Sequence, residues 1–135
     1  MSLKATLLEW ARERGHEVLD LGTHGDASVD YPDYGFALAE SLADGRADYG
    51  VALCGSGIGI AIAANRHPAC RCAQVSEPLS ARLARTHNDA NAIAIGARLV
   101  GDTMAIACLD AFLCAEFEGG RHQHRVDKLS KEFTA

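Results

Sequence analysis

At 135 residues, 48% of them hydrophobic and 23% charged, the chain suits a single domain spanning 1–135, large enough to bury roughly two-thirds of its unfolded surface. A net charge of -5 and a pI near 5.6 exclude a general attraction to nucleic acid or an anionic membrane, so an anionic ligand must be met by a local basic cluster. Five cysteines (Cys54, Cys70, Cys72, Cys108 and Cys114) make an odd count without the regular spacing of a disulfide framework, and read as reduced cytoplasmic thiols.

Leu3, Leu7, Leu8 and Ala11 recur at helical spacing before Gly15, so the chain opens with a helix. Its charged residues Glu9, Arg12, Glu13 and Arg14 stand where a signal peptide would be apolar, and no apolar run approaches the ~20 residues that span a bilayer. A soluble, unexported protein is expected. His16–Leu21 reads as a short strand, 22–32 as turns, 33–43 as a helix and Tyr49–Leu53 as a buried strand. Next come a helix over 58–65, a strand over 70–75, a helix over 78–86 and a strand over 92–95. Two helices, about 102–116 and 120–131, close the chain around Glu118-Gly119-Gly120. This alternation predicts an α/β protein with a parallel sheet covered on both faces, whose ligands sit beyond the carboxyl ends of the strands.

The loop Cys54-Gly55-Ser56-Gly57-Ile58-Gly59 follows the buried strand directly. Alternate glycines let the backbone turn sharply and aim N–H groups and a helix N-terminus at an anion. Neither a dinucleotide fingerprint nor a P-loop fits, because Ile60 stands at the last glycine position and no lysine follows. The helix dipole and nearby N–H groups favour a thiolate at Cys54, the form that acts as a base. On residue type alone, Cys54 reads more readily as a buried core cysteine. Ser56 reads equally as a polar partner of the thiol or as a group satisfying its own turn.

Asp30-Tyr31-Pro32, the glycine loop, Ala63-Ala64-Asn65-Arg66, Ser76-Glu77-Pro78, His87-Asn88-Asp89-Ala90-Asn91 and Glu118-Gly119-Gly120-Arg121-His122 occur in order along the chain. Together they closely resemble the ribose-5-phosphate isomerase B family, over about residues 3–129. The resemblance implies a three-layer α/β/α, Rossmann-like fold with a parallel sheet of about five strands. It implies an aldose–ketose isomerase of the pentose phosphate pathway that interconverts ribose 5-phosphate and ribulose 5-phosphate without metal or cofactor. Related enzymes act on galactose 6-phosphate, allose 6-phosphate or tetrose phosphates, and a non-catalytic sugar-phosphate-binding paralogue is a further alternative.

By the same resemblance, Cys54 moves a proton between C1 and C2, assisted by Ser56, while the amides of Gly55, Gly57, Ile58 and Gly59 hold the enediolate. Fixed donors of that kind are worth ~3 kcal/mol each in comparable oxyanion sites. His87 matches the residue that opens the furanose ring, a task for a group titrating near neutrality, and Asn88 orients hydroxyls. Tyr31 lines the sugar site. Arg121 and Arg125, spaced i,i+4, share a helix face and suit phosphate, and Arg98 matches a phosphate contact from a neighbouring subunit. A homodimer, or a tetramer, with shared sites follows. Considered alone, His87-Asn88 reads as a helix end and the arginine pair as solvated charge. Neither Cys70-x-Cys72 nor His122-x-His124 has the partner pair that zinc needs.

One departure stands out. The family begins with a buried strand ending in Asp-His, whereas Met1-Ser2-Leu3 enters the first helix almost at once. The chain therefore reads as a member missing its first strand, with weakened substrate positioning and reduced or absent activity, and with backbone groups left to be paired another way.

Overall fold

The computed structural model describes residues 1–22, 30–131 and 133; most of the stretch read as turns lies outside them. Helix α1 covers Leu3–Glu13, opened by Ser2, whose hydroxyl oxygen accepts the Ala5 N–H at 3.1 Å. Helix α2 covers Tyr31–Ala43, starting two residues before the expected position because Pro32 sits in the first turn, where its missing N–H costs nothing. Strand β1 (Gly50–Cys54), helix α3 (Ile58–Ala64), strand β2 (Cys72–Gln74), helix α4 (Pro78–Asn88) and strand β3 (Ala92–Gly96) follow, then α5 (Asp102–Cys114) and α6 (Arg121–Leu129). The Glu77 carboxylate caps α4, accepting the N–H groups of Leu79 and Ser80 at 2.7 and 2.8 Å. The Ser80 hydroxyl above all, and after it these backbone bonds, hold its pKa below the usual carboxylate value.

The three strands form one parallel sheet in the order β1-β3-β2, with Ile93 opposite both Val51 and Ala73. Central β3 is buried along its whole length, as expected of a strand covered on both faces. Its side chains alternate between two cores. Ile93 and Ile95 join Leu7, Trp10, Leu109 and Phe112 from α1 and α5. Ala92 and Ala94 face α2 and α3, meeting Leu38, Ile60, Ala61 and Ala64. The layers are therefore α/β/α, as expected.

The expected strand His16–Leu21 does not form. The segment is sequence-appropriate but has no neighbour: apart from the His16 N–H, which returns to Ala11, it makes no strand ladder among the described residues. A strand exists only through a partner that satisfies its backbone, and between this segment and β1 lies an open slot. The described sheet accordingly has three strands.

Candidate active site

β1 delivers Cys54 to the carboxyl edge of the sheet, and the glycine loop that follows is pressed against the end of β3. Gly57 adopts φ 78°, and a Cβ there would lie 2.9 Å from the Ile95 carbonyl carbon and 3.0 Å from the Gly96 nitrogen. A Cβ on Gly96 would meet the Ser56 backbone at 2.6 Å. Glycine is required on both sides of this contact. The turn closes on the cysteine, with the Gly57 N–H donating to Cys54 Sγ at 3.1 Å. The Ile58 N–H donates to Ser56 Oγ at 3.2 Å, so the serine satisfies its own turn. The Ala97 and Arg98 N–H groups donate to the Cys54 and Gly55 carbonyls, fixing both carbonyls away from a ligand.

Four amides around the half-buried thiol, those of Gly55, Ser56, Gly59 and Ile60, have no hydrogen-bond partner among the described residues. Successive unpaired N–H groups of this kind form a cradle for negative charge. Two expected residues border it. A Cβ on Gly59 would meet the Tyr31 ring at 2.6 Å, and one on Gly55 would meet the Arg98 side chain at 3.4 Å. Arg98 thus lies against the glycine loop of its own chain. Gln74 of β2 also donates to the Ser56 carbonyl at 3.4 Å, a contribution with no signal in the sequence.

His87, Asn88, Arg121 and Arg125 gather elsewhere, where α6 packs on α4. Asp89, left-handed at φ 47°, ends α4. Its carboxylate accepts from Arg85 at 2.8 Å and from Arg71 at 3.3 Å, which holds the turn carrying His87 and Asn88. The His87 ring stacks on His122, with centroids 4.2 Å apart and planes 16° apart. Glu118 Oε1 stands 3.8 Å from His87 Nε2 and 3.5 Å from His122 Nε2. Burial lowers the His122 pKa, an effect that the nearness of His87 and Arg121 adds to and Glu118 opposes. These residue types can ligate metal and their ligand atoms lie within 4.8 Å of one another. The stacking opposes it, since one ion cannot lie in both nearly parallel ring planes. Glu118 and His122 went unassigned in the sequence, and because Glu118 precedes α6, helical spacing gave no signal of their contact.

No hydrogen bond, ion pair or ring contact joins the Cys54 loop to the His87 cluster among the described residues. Of the remaining thiols, burial pushes Cys70 up to about 11, an effect Arg71 opposes, and Cys72 up to about 12. Both therefore stay protonated around neutral pH.

The family model described as Ribose/Galactose Isomerase matches residues 1–129. The chain belongs to that family. Among this family's members, ribose-5-phosphate isomerase B of Escherichia coli is 45% identical over 128 residues, covering 95% of this chain and 86% of its own. The structure of Clostridium thermocellum ribose-5-phosphate isomerase B superposes with a TM-score of 0.93 at 48% identity, over 95% of this chain and 86% of that one. The Mycoplasma genitalium ribose-5-phosphate isomerase B structure, which contains bound ribulose-5-phosphate, gives 0.89 at 39% identity, over 95% and 86%. Membership of a sugar isomerase family agrees with the expectation from the motifs. No helix of the described residues is long and apolar enough to cross a membrane.

Proposed function

We propose that this chain interconverts ribose 5-phosphate and ribulose 5-phosphate through an enediolate, with Cys54 as the base. The observation that carries the reading is the half-buried thiol of Cys54 set among four unpaired amides at the end of a buried strand. An aldose–ketose isomerase must take a proton from a carbon beside a carbonyl and hold the resulting oxyanion. The thiolate takes the proton from C2 and returns it to C1, while the amides of Gly55, Ser56, Gly59 and Ile60 receive the developing charge. Gly57 serves the sulfur instead, because its N–H is already committed there.

The second cluster supplies the other half of the chemistry. His87 passes a proton to the ring oxygen to open the furanose, Asn88 orients hydroxyls, and Arg121 and Arg125 neutralise the phosphate. Since no contact joins the clusters within one chain among the described residues, each site in this reading combines the Cys54 loop and Tyr31 of one subunit with the arginines and His87 of another. Reduced thiols at Cys70 and Cys72 fit a cytoplasmic homodimer. The known related sugars remain substrates to be compared in the same assay.

The test is isomerisation in D2O, followed by deuterium entering at C1 of ribulose 5-phosphate. Cys54→Ala is expected to abolish incorporation while leaving thermal unfolding unchanged; wild-type incorporation would overturn the assignment. Mixing Cys54→Ala with Arg125→Ala subunits is expected to restore activity, since a hybrid dimer contains one intact site.

A further inference from the structure

The stacked rings of His87 and His122, 4.2 Å apart with planes 16° apart, are held through the backbone as well. The Glu118 N–H donates to the Thr86 carbonyl at 3.0 Å, tying the linker 115–120 to the residue before His87. On the other side the His122 N–H donates to the Gly119 carbonyl at 2.9 Å. Gly119 turns the chain between these bonds at φ 65°, a conformation that suits glycine. The Glu118 carboxylate is thereby set beside both rings, 3.8 Å from His87 Nε2 and 3.5 Å from His122 Nε2.

Two imidazolium charges at this separation repel strongly, so around neutral pH the stack holds at most a single extra proton. Exposure decides which ring carries it. The His122 side chain is 9% exposed and that of His87 37%, and a charge on the buried ring forfeits its hydration. Arg121 and Arg125 of α6 also disfavour a charge on His122. The remaining charges nearby are engaged elsewhere. On α4, Arg85 and Asp89 pair at 2.8 Å; on α5, which packs against α4, Asp102 accepts from the Thr6 hydroxyl and Asp110 from the Cys114 thiol. Among the described residues Glu118 is the carboxylate within ion-pair reach of either ring.

Resting on the ring-opening role read for His87, we propose that Glu118 and His122 are positioning residues for that step. His122 is a neutral platform that fixes the plane of the His87 ring, and Glu118 keeps the proton on His87, where the sugar meets it. In the step itself the bond between C1 and the ring oxygen breaks, and its electron pair goes to that oxygen, which takes the proton of His87. The anomeric hydroxyl becomes the C1 carbonyl and releases its proton to water, and His87 regains a proton from solvent. Neither Glu118 nor His122 touches the reacting atoms; both act through His87.

The test separates ring opening from proton transfer at carbon. Ribose 5-phosphate arrives as a closed furanose, whereas ribulose 5-phosphate, with its C5 oxygen phosphorylated, stays open, so deuterium exchange at its C1 needs no ring opening. Glu118→Gln, at an exposed position, is expected to lower kcat/KM for ribose 5-phosphate roughly three- to tenfold, with His87→Gln as reference, while exchange at C1 of ribulose 5-phosphate persists. The alkaline fall in conversion should begin at lower pH in this variant, because the carboxylate that favours the imidazolium is gone. His122→Ala should show the same split, and His122→Phe, which restores a neutral stacking ring, should recover conversion. Wild-type conversion with an unmoved alkaline limb in Glu118→Gln, beside an impaired His87→Gln, would overturn this proposal alone. Conversion and exchange lost together in Glu118→Gln would overturn it by showing general damage to the site. Full conversion by His87→Gln would remove the ring-opening role and this proposal with it, while Cys54→Ala tests the base separately.

Discussion

Replacing Gly57 with alanine separates two requirements that the glycine meets at once. At φ 78° an alanine incurs roughly 1–2 kcal/mol of left-handed strain. Its Cβ would also lie 2.9 Å from the Ile95 carbonyl carbon, about 0.5 Å inside ordinary contact, and overpacking against fixed atoms costs about 1–3 kcal/mol. The atoms struck are backbone of the central strand, so the loop must yield instead. The expected loss is about 2–5 kcal/mol, a fall in Tm of roughly 10 °C for a domain of this size. Gly15→Ala is the internal control, since φ is 85° there and nothing lies within 4 Å of the added Cβ; it should show the strain alone. A displacement of about 0.5 Å at the loop should also cut kcat by roughly ten- to a hundredfold through misplaced amides and thiol. Differential scanning calorimetry and steady-state isomerisation on both variants decide the matter. Equal Tm values for the two variants would refute the claim that β3 holds the glycine loop in place.

Three further outcomes are expected. Asn65→Ala removes an amide that donates to the Cys72 carbonyl and accepts its N–H, both at 2.7 Å, and should cost about 2 kcal/mol in urea unfolding. The folded state holds the Cys70 and Cys72 thiols protonated to about 11 and about 12 against an ordinary 9.0. Their contribution is complete below pH 9 and is lost as pH rises above it, by up to ~1.4 kcal/mol per thiol per unit; Cys70→Ala should flatten that alkaline decline. His122 titrates below its ordinary 6.5, so the folded state prefers the neutral ring and stability falls as pH drops below 6.5. His122→Gln should show a smaller loss between pH 7 and 5, and an unchanged acid slope would contradict that origin.

Much of the fold was legible because its signals are local. The helical spacing of Leu3, Leu7 and Ala11, the uninterrupted apolar run at 92–95 and Gly55-Ser56-Gly57 each declare a structure without reference to distant residues. His16–Leu21 was misread for the opposite reason: its composition is that of a strand, but being one depends on a neighbour beyond its own residues. The candidate site divides in the same way. Cys54, Tyr31 and Arg98 meet around one loop, although the resemblance had given Arg98 to a neighbouring subunit's phosphate site. Gln74, Glu118 and His122 enter only because β2 reaches the loop and α6 docks on α4, and Asp89 matters because Arg85, one turn earlier, and the more distant Arg71 converge on it.

The two borders of the sheet are unlike. Along β2, residues 71, 73 and 75 are turned toward β3, leaving Cys72 and Gln74 to face outward, and the Asn65 amide already answers both backbone groups of Cys72. One side chain thus hems half of a short margin, leaving only the backbone groups of Gln74 to seed further pairing. Among the described residues the sheet is therefore unequal at its edges, hemmed on the β2 side and open on the β1 side, so that an added strand would arrive next to Cys54.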